Sequence, residues 1–152
     1  MVGRHIYLFL PSDAELEDFE KKIKYRFSNR ALIREALQAS SAVNEDGNKT
    51  LALIGDKLLD VVIVTSGRSK NKIRGDISNM IQQKAGNDYL CKQGFALGID
   101  KFIVKNPSQS DVGKKVMAAT MEAIVGAVFL DCNKQIAPCA DVMTALGLSW
   151  PE

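Results

Sequence analysis

The chain has 152 residues, 46% of them hydrophobic and 25% charged, with a formal net charge of +2. That length and apolar share suit one globular domain with a sizeable core and leave no comfortable room for a second. So small a net charge excludes a polyanion partner announced by composition, and any basic surface must come from local clustering.

In chain order, "HIYLFL" (5–10) is the one stretch with strand-like enrichment, and its apolar run is far shorter than a membrane span or a signal peptide. A soluble chain with no membrane partner is expected. "PSDAELEDFEKKIKYRF" predicts a first helix, with Ser12 as N-cap, Glu15 completing a capping box, and Leu16, Phe19 and Ile23 at helical spacing. "SNRALIREALQAS" predicts a second, capped by Ser28 or Asn29, with Leu32, Ile33, Ala36 and Leu37 on one face. After the polar loop "NEDGNK", the stretch "NKTLALIGDKLLDVV" places apolar residues at 51, 54, 58, 61 and 62 and demands a largely buried helix. "SGRSKNKIRGD" reads as a polar, basic break. A further helix is expected from about Asp76 to Gln93, then a loop containing Pro107. "VMAATMEAIVGAVFLDC" is apolar enough to be central to the core, and a last short helix, roughly Ala140 to Leu146, ends at Gly147. Cys91, Cys132 and Cys139 are odd in number and lack C-x-x-C spacing, which argues against a disulfide framework or a structural zinc site and for reduced thiols in an intracellular protein. The expected fold is a single all-α domain over 1–152, with its core at about 25–148 and a tail and first helix over 1–24. His5, the one histidine, lies outside every motif and is assigned no role.

Two carboxylates stand where they are costly. Asp56 follows Gly55 inside the third helix, and Glu122 sits within the apolar run "MAATMEAIVGAVFLD". A lone acid in a core helix is more often a cap or a rim residue. Two on two long apolar helices shift the balance, because converging carboxylates are how an all-α fold builds a Mg2+ or Mn2+ site.

With these residues in view, "YRFSNRALIREALQASS", "NKTLALIGDKLLDVV", "LCKQGFALGIDKFI" and "MAATMEAIVGAVFLD" together resemble the ribonuclease III domain, the endonuclease domain that cuts double-stranded RNA. The resemblance runs from about Tyr25 to Asp131. It implies an all-α endonuclease fold assembled as a two-fold homodimer through the signature helix, with Leu51, Leu53 and Leu58 as candidate contacts and Leu53 in place of a bulky interface aromatic. It also implies a Mg2+ or Mn2+ site, double-stranded RNA as partner and no organic cofactor. Residue by residue, the family's signature aspartate corresponds to Asp56, and the metal-binding glutamate four positions earlier corresponds to Ala52. The late-helix glutamate is Glu122, and the aspartate three positions before it is Ala119. Two neighbouring acid positions of the family are Lys49 and Arg74, and a "His-Arg-Ser-Tyr" stretch reads "ASSA", Ala39 to Ala42. Glu45, Asp46 and Asp60 are further acids, Asp60 being expected to face solvent.

A stand-alone, degenerate member without a C-terminal double-stranded-RNA-binding domain is therefore expected, with cleavage reduced or lost. Two alternatives stay open: a fully active minimal Mg2+-dependent endonuclease in RNA processing, and a structural or RNA-binding pseudonuclease of a mitochondrial-ribosome type. RNA contacts fall to Arg68, Lys70, Lys72 and Arg74, joined by Lys101, Lys105, Lys114 and Lys115, which suit a partner read by shape and backbone.

Overall fold

The computed structural model describes residues 11–40, 45–105 and 111–151. His5, "HIYLFL", the Pro107 loop and the second half of "ASSA" lie outside the described residues. Among those described, there are seven α-helices, one 3-10 turn (Ile99–Phe102) and no strand, only an isolated parallel bridge between Gln38 and Val104.

Helix α1 (Asp13–Ile23) begins as expected: Ser12 Oγ accepts from the Glu15 amide at 3.2 Å, and Glu15 Oε1 accepts from the Ser12 amide at 3.1 Å. Its Leu16, Phe19 and Ile23 are fully buried. Helix α2 (Arg30–Ala36) is capped by Asn29, whose Oδ1 accepts from the Ala31 amide. Helix α3 (Lys49–Ser69) runs further than its sequence suggests. The polar stretch from Ser66 does not end it, because Gly67 lies against Ile77 and Trp150 and that turn is packed. The break is confined to Lys70–Ile73, where Asn71 takes a left-handed φ of 59°.

The single helix expected from Asp76 to Gln93 is two helices, α4 (Arg74–Ala85) and α5 (Asn87–Ala96). Gly86 separates them with an extended ψ of 150°, a weak helix former at the point where the chain turns. Helix α6 (Lys114–Asp131) is the central element, buried along most of its length. Helix α7 (Ile136–Ala145) starts a turn earlier than expected, since Pro138 falls in the first turn, where the ring is tolerated. It stops as anticipated at Gly147, φ 77°, with the Leu148 amide bonding back to the Met143 carbonyl.

The core is one cluster, built chiefly on α3 against α6, with α2 and α5 also packed on α6. A buried amide ties its corners. Asn48, just ahead of α3, donates to the Ala36 carbonyl at 2.8 Å and to Thr120 Oγ1 at 3.1 Å, linking α2, α3 and α6.

Candidate metal and RNA-binding site

Helices α3 and α6 meet backbone to backbone. A Cβ added at Gly55 would lie 1.7 Å from the Glu122 carbonyl oxygen, and one added at Gly126 would lie 2.2 Å from that of Leu51. Only glycine allows such an approach, and it brings Asp56 and Glu122, one on each helix, to the same crossing. Asp56 is close enough to act on the Glu122 carboxyl and oppose its ionisation. The crossing brings these two candidate residues together.

The pair is electrostatically loaded. Burial pushes the Glu122 carboxyl up to about 8 from an ordinary 4.5, and Asp56, followed by Asp60, pushes in the same direction. Asp60 does not simply face solvent: it is half-buried and is raised first by desolvation and then by Asp56. A third acid therefore belongs to this neighbourhood. Lys57 is a cation near the pair, its Nζ 3.6 Å from Asp56 Oδ2, both side chains well exposed. Sequence reasoning passed over Lys57, because neighbours on a helix do not share a face. Lys49 and Arg74 are exposed and form no ion pair with either acid. Glu45 and Asp46 are exposed in the loop before α3.

The matched region spans this crossing. Residues 49–133 match the Ribonuclease III domain. The chain belongs to the ribonuclease III domain family. Among curated relatives, it is 30% identical over 130 residues to Ribonuclease 3 of Fusobacterium nucleatum, covering 78% of this chain and 56% of that protein. It is 29% identical over 143 residues to Ribonuclease 3 of Psychromonas ingrahamii, covering 90% and 60%. The chain thus spans little more than half the length of these relatives. Among solved structures, the ribonuclease III nuclease domain of Campylobacter jejuni, described for flexibility in its dimer-forming region, superposes with a TM-score of 0.76 at 21% identity, covering 86% of this chain and 94% of that one. A second structure of that domain gives 0.73. The all-α nuclease-domain fold is thereby shown.

Ribonuclease III domains act on double-stranded RNA and use divalent metal ions. The oxygen donors here, Asp56 and Glu122 facing each other with Asp60 nearby, are the hard ligands that Mg2+ and Mn2+ take. They fit a single ion completed by water or phosphate oxygens. A fuller set is not assembled: among the described residues no three His, Cys, Asp or Glu side chains are arranged to hold a metal. Ala52, almost buried, and Ala119, half-buried, occupy the two positions where the family resemblance places further carboxylates.

The basic residues separate into two groups. Arg68 ends α3, Lys70 and Lys72 lie in the turn and Arg74 opens α4, all exposed at one corner, with Lys72 Nζ 5.9 Å from the Trp150 ring centre. Lys114 and Lys115 open α6. Lys114 is already engaged, its Nζ 2.6 Å from Asp88 Oδ1, which raises the lysine and lowers the aspartate. The three leucines expected at a dimer contact differ in exposure. Leu51 and Leu58 are 1% and 7% exposed, committed to the chain's own core, whereas Leu53 is 62% exposed. Val61, expected inside, is 42% exposed and joins Leu53 and Val64 on an outward stripe of α3. No helix among the described residues is long and apolar enough to cross a membrane.

Proposed function

We propose that this domain binds double-stranded RNA as a homodimer and cleaves it weakly or not at all. The observation carrying this reading is the crossing of α3 and α6, which presents Asp56 and Glu122 together while Ala52 and Ala119 supply no carboxylate one turn before each of them. A bound Mg2+ or Mn2+ supplies Lewis acidity and a more acidic water for phosphodiester hydrolysis. Asp56 and Glu122 would hold one such ion, but two ligands leave it loosely fixed, and misplaced reacting groups lose orders of magnitude in rate. The corner of Arg68, Lys70, Lys72 and Arg74 would carry phosphate contacts, and the Leu53–Val61–Val64 stripe would carry the dimer contact. The half-buried Asp60 favours a second reading, an active minimal endonuclease in which this third acid makes up part of the deficit.

A cleavage assay on long duplex RNA with Mg2+ or Mn2+ separates the two. Wild type is expected to cut slowly or not at all, and Ala52→Glu with Ala119→Asp to raise the rate by at least about tenfold, either change alone doing less. Position 52 is one helical turn from Asp56, and position 119 one turn from Glu122. Robust wild-type cleavage abolished by Asp60→Asn would favour the second reading. An inert, folded double variant would show that Asp56 and Glu122 are structural.

A further inference from the structure

Away from the acidic crossing, the junction between α6 and α7 gathers two thiols. Cys132 is the C-cap of α6, and Cys139 lies in the opening turn of α7. Two successive left-handed residues between them, Asn133 with φ 59° and Lys134 with φ 61°, fold the chain sharply back. Both thiols consequently donate to one acceptor: the Gln135 carbonyl oxygen lies 3.2 Å from Cys132 Sγ and 3.5 Å from Cys139 Sγ. Each also reaches a carbonyl of α6, Phe129 at 3.6 Å for Cys132 and Val125 at 4.0 Å for Cys139. Sharing the Gln135 acceptor brings the two thiols into one neighbourhood, and all three cysteines are free.

We propose that Cys132 and Cys139 are a modification site for low-molecular-weight disulfides, which convert them to a reversible intramolecular disulfide. Cys132 is half-buried and Cys139 fully buried, so Cys132 is the sulfur a reagent meets first. Its thiolate attacks one sulfur of the external disulfide. The reagent's S–S bond breaks, a Cys132–reagent bond forms, and the first half departs as a thiolate that takes up the proton Cys132 released. Cys139 then gives up its proton and attacks the Cys132 sulfur, forming the Cys132–Cys139 bond and expelling the second half as a thiol. Two protein thiols are oxidised by two electrons, and one reagent disulfide is reduced to two thiols. Burial, followed by the Cys132 thiol, pushes the Cys139 thiol up to about 12, which makes the second step the slow one. Gathering both sulfurs around the Gln135 carbonyl offsets that penalty, because the step is intramolecular. The product fastens the end of α6 to the start of α7. That end also carries Asp131, which holds the start of α2.

The test exposes the folded full chain to glutathione disulfide, alkylates the remaining thiols with N-ethylmaleimide and maps the peptides by mass. The expected product is two hydrogens lighter and linked between Cys132 and Cys139, with Cys91 alkylated and dithiothreitol restoring all three thiols. Cys132→Ser should abolish the link, and Cys91→Ser should leave its yield and rate unchanged. These two variants carry the test even if the buried Cys139→Ser fails to fold. A persistent glutathione adduct on Cys132 with Cys139 still alkylatable after denaturation would overturn the proposal. So would a link through Cys91, or complete resistance in the folded chain when the denatured chain reacts.

Discussion

A methyl group at position 55 or 126 would meet helix backbone, and backbone carbonyls cannot rotate aside as the tip of a side chain can. Gly55→Ala and Gly126→Ala must therefore push α3 and α6 apart, each costing about 3 kcal/mol or more. Gly75, on α4 with nothing within 4 Å of an added Cβ, is the control. There alanine should stabilise by up to about 1 kcal/mol through helix propensity alone. Urea denaturation reads all three, and equal midpoints for Gly55→Ala and Gly75→Ala would refute the close crossing. The acids at that crossing make a second prediction. Because the folded chain raises Glu122 to about 8 from 4.5, it holds a proton that the unfolded chain has shed between those values. The stability tied to that proton is complete below about pH 4.5 and is lost as the pH rises through 8. Thermal midpoints without divalent metal should fall across this window in wild type and fall less in Glu122→Gln. Asp56 and Glu122 were legible as candidates because a carboxylate in an apolar helix is expensive. The distance between them was not, since chain order does not encode how closely two backbones approach.

At the level of elements, the helices are joined by side chains that reach across the fold. The Asp131 carboxylate at the end of α6 accepts from the Ser28 and Asn29 amides at 2.9 and 2.7 Å and from the Tyr25 hydroxyl at 2.6 Å. Burial and then this carboxylate hold the Tyr25 phenol above its ordinary range. Asp131→Ala should cost about 2–3 kcal/mol by stripping charge-assisted bonds from the start of α2, and Tyr25→Phe about 1 kcal/mol. Circular dichroism on heating checks the order of the two, and an Asp131→Ala variant as stable as wild type would contradict the clamp. Nothing local in the sequence marks Asp131, because its partners lie far away in the chain. Local grammar was readable where it is local: the Ser12–Glu15 box, Asn29 at the start of α2 and Gly147 beyond the end of α7. It failed at Gly86, where one glycine divided a continuous helical pattern, and at Pro138, where a proline stands inside a helix rather than before it.

On the scale of the molecule, α3 has two apolar faces, and periodicity alone does not say which one the chain keeps for itself. Leu51 and Leu58 went to the core, while Leu53, Val61 and Val64 stayed outside, at 62%, 42% and 41% exposure. The outward stripe is where a second copy would dock, with Lys57 between Leu53 and Val61. Leu53→Glu should dissociate such a dimer, since a buried unpaired charge costs about 3–5 kcal/mol. Leu58→Glu should instead unfold the monomer. Sedimentation velocity at micromolar concentration distinguishes them, and a wild type that sediments only as monomer would remove the dimer from the proposed function. The family fold was legible because it depends on the order and spacing of several helices. The outward face of α3 was only partly so, because it depends on which side of one helix faces in.

Trp150, the chain's single tryptophan, donates its Nε1 proton to the Ile63 carbonyl at 2.8 Å, rests beside Gly67 and lies under the Lys72 ammonium. Its indole is therefore an optical probe placed by the fold at the corner where Arg68, Lys70, Lys72 and Arg74 gather. Drawing Lys72 toward a phosphate would remove a positive charge from the ring's face and change its emission. Release of the C-terminal segment from α3 would expose the indole to water and shift the emission to longer wavelength. One unlabelled sample therefore reports on events at this corner.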